Sequence, residues 1–306
     1  MTNVKMPSPA EVGFMDEKKS STFLADVKSL FKLIVLIVNV LPVLTGFWLA
    51  IYFTNASFFA NWNVFVLTML GSTLVMAGAL VLNNWYDVDI DSVMERTKNR
   101  PTVTGNFSLR SVLILGIALS AVGFIFMLFT TFEATIYAFI GWVVYVFPYT
   151  MWSKRKYTIN TVIGSVSGAV TPLIGWAAID SSFHIVPMML ALIIFIWQMP
   201  HTYAIAIRKH DDYKRAGVAM LPVVRGFTVA KWHNVVYIVC LLPIPFFLKS
   251  LGTFFIGFAT FLTLVWLVIS IRGFFVKDNI KWAYVMFLYS VNYLAILFIT
   301  MIIVTM

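Results

Sequence analysis

NNWYDVDIDSVMERTKNRP, residues 83–101, puts four of the chain's thirteen acidic residues and the cations Arg96, Lys98 and Arg100 into nineteen positions. It follows directly on an apolar run that reads as a helix. If that helix continues, Asn83, Asp87, Asp91 and Glu95 recur at i, i+4, i+8 and i+12 and share one face, with neighbouring Cβ atoms about 5–6 Å apart. Asp89 points to the other side. Two carboxylates about 5 Å apart repel by about 3 kcal/mol at an effective dielectric near 20. So the stripe calls for a counter-charge.

A hard cation is one answer. Magnesium takes oxygen ligands, keeps waters and is usually held by one or two carboxylates plus substrate phosphates. Arg96, Lys98 and Arg100 would then face the same phosphate oxygens, and arginine suits bidentate contacts of that kind. The plainer reading is a solvated face, the ordinary fate of a charged stripe on a loop helix. Two facts weigh against it. The stripe extends an apolar span, and a second acidic pair, Asp211 and Asp212, lies downstream among Arg208, Lys209, Lys214 and Arg215. Two acidic motifs at one membrane face can converge on one metal–diphosphate cluster.

The remainder of the chain is apolar. Of 306 residues, 60% are hydrophobic and 11% charged, and the mean hydropathy is +0.89. That excludes a soluble globular protein and indicates a polytopic membrane protein. The net charge of +9 follows membrane topology rather than a nucleic-acid surface, and no nucleic-acid partner is expected. The single cysteine, Cys240, permits no intramolecular disulfide. The first apolar run begins near residue 30, after Lys5, Lys18, Lys19, Lys28 and Lys32. No clear small-residue cleavage site follows it, so it is expected to stay as an anchor.

A hydrocarbon core about 30 Å thick needs about 20 apolar residues per helix. Nine segments qualify: 30–53, 60–82, 109–130, 133–151, 159–179, 185–206, 231–249, 252–272 and 280–304. The N-terminal segment and the loops 83–110, 152–158, 207–231 and 273–281 hold nearly all the Lys and Arg, and Lys249 is the one cation placed opposite. The positive-inside rule then puts the N-terminus in the cytoplasm and the C-terminus outside. The two long charged loops, after the second and sixth spans, suggest two four-helix halves, 29–151 and 158–272, with a ninth helix at 280–304. Residues 1–28 read as a disordered cytoplasmic tail.

The pattern Asn83-x-x-x-Asp87-x-x-x-Asp91 followed by Arg96-Thr97-x-x-Arg100-Pro101 resembles the first aspartate-rich motif of the UbiA superfamily of intramembrane prenyltransferases. Within it, the chain is most similar to the branch that farnesylates heme. Two further stretches carry the likeness, YTMWSKRKYTINTVIGSVSGAVTPLIGWAA (149–178) and WQMPHTYAIAIRKHDDYKRAGVAMLPVV (197–224), in the family's order and spacing. The resemblance implies an all-α bundle of nine transmembrane helices, with a central cavity and a cytoplasmic cap of two acidic loops. It implies transfer of a farnesyl group from farnesyl diphosphate to a vinyl of heme B, with Mg2+ as cofactor. It also implies a place in the lipid bilayer of a prokaryotic plasma membrane, with heme A synthase or the terminal-oxidase assembly machinery downstream.

Carried over residue by residue, Asn83, Asp87 and Asp91 match the family's magnesium–diphosphate ligands. Asp212 matches the second motif, with Asp211 as its understudy. Two positions depart. Asn84 stands where many members have Asp, and Arg208 stands four residues before Asp212 where the wider superfamily has Asp. Arg208 is therefore expected to meet phosphate or a heme propionate directly.

Other candidates carry a structural reading beside the functional one. Tyr145, Tyr149 and Trp152 could shelter a carbocation, at about 0.5–2 kcal/mol per aromatic face, yet such residues gather at membrane interfaces anyway. Lys154, Arg155 and Lys156 set topology, or one of them grips diphosphate or propionate. The small residues Gly164, Ser165, Ser167, Gly168 and Ala169 form a packing seam or make room for a flat ring. Pro172 is expected to kink its span. His201 and His233 are candidates for the heme site, since imidazole is a natural ligand of heme iron, while His184 and His210 are expected to face solvent. Competing functions are a UbiA-type enzyme with another aromatic acceptor, an ion-coupled transporter and a heme-binding assembly factor. Transport usually needs ionisable groups near the bilayer midplane, and these spans are nearly free of charge.

Overall fold

The computed structural model describes residues 22–306. The described chain is helical: α1 (Phe23–Leu30), α2 (Leu33–Thr54), α3 (Trp62–Tyr86), α4 (Val88–Val93), α5 (Pro101–Thr104), α6 (Leu109–Leu128) and α7 (Phe132–Val144). α7 runs on through a π-helical segment, Tyr145–Ser153, into a last turn, α8 (Lys154–Lys156). Then come α9 (Asn160–Ala169), α10 (Thr171–Ala177), α11 (Ile185–Arg208), α12 (His210–Arg215), α13 (Leu221–Arg225) and α14 (Phe227–Leu241). A short α15 (Ile244–Phe247) precedes α16 (Thr253–Arg272) and α17 (Asn279–Ile303).

Among the described residues, eight helical segments are long and apolar enough to cross a membrane. They match eight of the nine expected spans to within a few residues. The expected span 159–179 differs: it is two shorter helices, α9 and α10, which part at Val170. The cause is Pro172, which has no N–H to give the carbonyl of Gly168. The Thr171 hydroxyl takes its place, donating to Gly168 O at 2.7 Å. The expected kink is thus a break with a side-chain repair.

The beginning of the chain also differs from expectation. Residues 23–28, assigned by sequence to the tail, lie in α1, residue 22 caps it, and residues 1–21 fall outside the described residues. Thr22 caps α1 by accepting from Ala25 N at 3.3 Å. The far end of α1 is tied to α3, because Asn84 Nδ2 donates to Leu30 O at 2.6 Å. Lys32 then takes the left-handed conformation, φ 47°, and turns the chain into α2.

The bundle is held by apolar faces and close backbone approach. α3 and α6 pack along their lengths, and a Cβ on Gly78 would come within 2.8 Å of Gly116 O. The run at 164–169 packs closely as well: a Cβ on Gly168 would meet Gln198 and one on Gly164 the ring of Tyr149, and both glycines line the cavity. The largest core cluster joins α11, α14, α16 and α17 around Trp197, Trp266, Trp282 and Phe298. At one end the two charged loops meet: Ile90 and Met94 from the first pack on Ala206, Val218 and Met220 from the second. That contact forms a cap over the bundle.

Candidate active site

α3 ends at Tyr86 and α4 begins at Val88, so the helix carrying the acidic stripe is interrupted at Asp87. The interruption is mild. Asp91 N still donates to Asp87 O at 2.8 Å, as Asp87 N does to Asn83 O at 3.0 Å. The i, i+4 relationship survives, and Asn83, Asp87 and Asp91 are all buried on one face. Glu95 leaves that face because Met94 is extended; its carboxylate pairs with Lys98 at 2.6 Å on the exposed surface. Lys98 is therefore turned away from the acids it was expected to join.

Each buried carboxylate has cationic company. Lys154 donates to Asp87 Oδ2 and Arg100 to Asp91 Oδ2. Asn83 Nδ2 reaches Asp87 Oδ2 at 2.8 Å and Thr150 Oγ1 at 3.0 Å. Lys32 completes the set by donating to Asn83 Oδ1. Burial, and then the positive charges of Arg100 and Lys154, hold the Lys32 ammonium well below the ordinary lysine range. An anion placed among Lys32, Lys154 and Arg100 would relieve that repulsion. Sequence reasoning missed Lys32 as a site residue, having read it only as part of the positive N-terminal segment.

Asp89 points away, as its spacing predicts. It is 61% exposed and held bidentately by Arg155 at 2.6 and 2.7 Å. The Arg155 hydrogen bond draws its carboxyl below the usual carboxylate range.

The second acidic loop supplies Asp212, which is buried, accepts from Arg215 at 2.5 Å and faces Glu95 N at 3.4 Å. Asp211 does not join it. Its side chain is 91% exposed and paired with His210 at 2.9 Å, a hydrogen bond that lowers its pKa. Asp211 thus lies outside the buried set, and among the described residues no three of His, Cys, Asp and Glu gather as a complete metal cage. Asp87 Oδ1 is buried with no hydrogen-bond partner, Arg155 standing 3.7 Å away, so it can still serve as an oxygen donor to a hard cation.

Beside these acids lies a cavity of about 630 Å³, mostly apolar, between α2, α3, α9, α11 and α17. The π-helical segment links the two regions. Tyr145 and Tyr149 line the cavity with rings 5.5 Å apart, and Thr150 binds Asn83. Arg96 stands exposed at the cavity wall. Arg208 lines it too, its guanidinium 4.6 Å above Tyr284 and 4.9 Å above Phe287. His201 stacks on Trp197 at 4.5 Å and shares a 2.7 Å hydrogen bond between its Nδ1 and Ser290 Oγ.

Three expectations are corrected besides Lys98 and Asp211. His233 is outside the cavity lining, packed beside Tyr203 and Tyr237 at 6.0 and 6.1 Å. Trp152 lies against Tyr157 on the exterior. His184 is exposed, as expected, and also caps α11 by accepting from Val186 N at 3.3 Å while stacking on Trp176. His210 is only partly open to solvent, held by Asp211 and the edge of Phe227.

A membrane bundle with a buried Asn–Asp–Asp face at the end of an apolar chamber is the architecture of intramembrane prenyl transfer. The chain belongs to the UbiA prenyltransferase family, whose pattern matches residues 39–291. It is 53% identical to the protoheme IX farnesyltransferase of Oceanobacillus iheyensis, across 99% of this chain and 98% of that one. It is 47% identical to the protoheme IX farnesyltransferase of Geobacillus thermodenitrificans, across 100% and 99%. The fold is shared with a digeranylgeranylglyceryl phosphate synthase at TM-score 0.71 and 18% identity, covering 92% of this chain and 98% of that one. It is shared also with a UbiA homologue from Archaeoglobus fulgidus bound to DMAPP and Mg2+, at TM-score 0.68 and 16% identity, covering 90% and 99%.

Proposed function

We propose that this chain transfers a farnesyl group from farnesyl diphosphate to a vinyl group of heme B, releasing diphosphate and giving a hydroxyethylfarnesyl heme. One observation carries the reading: Asn83, Asp87 and Asp91 are buried among Lys32, Lys154 and Arg100, next to an apolar chamber. An allylic diphosphate has the same division, with an anionic head and a tail that gains about 0.8 kcal/mol per buried CH₂. Heme as acceptor is supported by the near full-length likeness to protoheme IX farnesyltransferases.

Asn83, Asp87, Asp91 and Asp212 are the oxygen donors that would hold magnesium. When bound, the metal supplies Lewis-acid stabilisation of the leaving group and a template for it. Lys32, Lys154 and Arg100 aim donors at the diphosphate as its charge develops, which is the form of electrostatic help worth most in a dry site. The faces of Tyr145 and Tyr149 shelter the allylic cation. Arg208 and His201 are assigned to the acceptor, Arg208 meeting an anionic propionate. The vinyl pair bonds to C1 of farnesyl as the C1–O bond breaks, and water adds to the new cation.

The capped end is placed in the cytoplasm, because it carries most of the cations. With α9 and α10 together crossing once, the C-terminus lies outside. The acceptor is tested by offering purified protein farnesyl diphosphate and magnesium with either heme B or small aromatic ring acceptors. Farnesylation of heme alone supports the proposal. Farnesylation of the small rings with heme untouched would replace it with the other branch of the family.

A further inference from the structure

Most polar side chains in the cavity wall are already engaged. The Asn39 and Asn292 amides donate to carbonyls of their own helices at 2.7 and 2.8 Å. Ser167 does the same at 2.6 Å, and Thr171 donates back to Gly168 O of α9 at 2.7 Å. Gln198 and Thr202 differ. They stand one helical turn apart on α11, both line the cavity, and neither side chain has a hydrogen-bond partner among the described residues, a state shared by the Tyr145 and Tyr149 hydroxyls and by Arg96. The Gln198 amide is pressed against α9, where a Cβ on Gly168 would come 1.8 Å from its Nε2. One turn along α9, Gly164 receives the ring of Tyr149 in the same way. Thus an amide open to the cavity lies about one helical turn from the aromatic ring beside the diphosphate site.

Its depth matters as well. Gln198 is ten residues from Arg208 along α11, or about 15 Å at the helical rise. In heme the vinyl-bearing edge lies opposite the propionates. A porphyrin whose propionates meet Arg208 carries its vinyls inward, toward Gln198. Vinyl carbons and a farnesyl tail offer no hydrogen bonds, so the amide and hydroxyl remain free for a small polar molecule.

We propose that Gln198, with Thr202, holds the water that becomes the hydroxyl of the product. The assignment rests on the heme-farnesylation reading above. The outer vinyl carbon bonds to farnesyl C1, and the C1–O pair leaves with diphosphate. The inner vinyl carbon is then cationic. Gln198 Oε1 accepts one hydrogen of the water, whose oxygen lone pair forms the new C–O bond. The surplus proton passes to the released diphosphate, and no redox partner is needed. Where no water is held, the cation instead sheds a neighbouring proton and an alkene results. Gln198 is therefore a positioning residue that decides between two products.

Mass spectrometry of the products, with diphosphate release followed in parallel, tests this in the full-length protein with heme B, farnesyl diphosphate and magnesium. Gln198→Met keeps the side-chain length and removes the amide. The ratio of hydroxylated to water-free farnesyl heme is expected to fall about tenfold, the effect of losing one hydrogen bond of ordinary strength. That ratio does not depend on total turnover. An unchanged ratio overturns the assignment, as does loss of both products together with diphosphate release, since Gln198 would then act before the cation forms. Thr202→Val, expected to shift the ratio in the same direction, serves if Gln198→Met fails to fold. A wild-type protein that makes no farnesylated heme overturns the parent reading and this assignment with it.

Discussion

Lys154 and Asp87 are joined across 67 residues of sequence, the ammonium donating to the same Oδ2 that accepts from Asn83. The other carboxylate oxygen, Oδ1, is buried and has no hydrogen bond. Arg155 faces that oxygen at 3.7 Å, beyond hydrogen-bond reach, so the oxygen can still accept from a closer positive ligand. The ion pair holds the Asp87 carboxylate in place before substrate arrives, whatever its net contribution to stability, which for a buried pair is often small.

Asp87→Asn and Asp91→Asn are each expected to abolish farnesyl transfer while the protein still inserts and extracts as a folded species. Activity assays alongside thermal unfolding in detergent check this. Full activity in either variant would remove that residue from the metal-binding set.

Asp89→Asn and Lys98→Ala are expected to leave turnover close to wild type, because both side chains face away from the buried acids. Kinetics with varied farnesyl diphosphate give the comparison. A loss as deep as that of Asp87→Asn in either variant contradicts the geometry of the stripe.

Lys32→Met should weaken farnesyl diphosphate, with KM rising about ten- to a hundredfold, the scale of a charge-assisted hydrogen bond. The KM for heme should hardly move. Equal effects on both substrates would mean that Lys32 merely supports the turn between α1 and α2.

Arg208→Gln is expected to act on the other substrate, raising the KM for heme while that for farnesyl diphosphate stays nearly constant. Measuring both constants in one preparation separates the acceptor wall from the diphosphate wall. A rise confined to the diphosphate would move Arg208 to the donor side.

Much of this was legible in the sequence, and the rest was not for physical reasons. The apolar runs gave the spans because a bilayer demands about 20 such residues. The break at Val170 escaped because it depends on Thr171 replacing the hydrogen bond that Pro172 cannot make. The face of Asn83, Asp87 and Asp91 was readable because i, i+4 contacts are local, and it survives the interruption at Asp87. Glu95 and Lys98 were misplaced because the extended Met94 changes direction beyond the reach of helical spacing. Lys32 and Thr150 were invisible as site residues, since each meets Asn83 from 51 and 67 positions away. Asp212 was preferred to Asp211 on resemblance alone, and the cap supplies the physical reason by burying the first and leaving the second exposed.

The central claim is that the buried acids cleave a prenyl diphosphate so that heme can take the prenyl group. The most direct measurement is the stoichiometry of diphosphate released to farnesylated heme formed, in purified protein supplied with heme B, farnesyl diphosphate and magnesium. One diphosphate per farnesylated heme, with both lost in Asp91→Asn, is the expected result. Diphosphate release with no farnesylated heme, or neither product from a folded wild-type protein, would contradict the account.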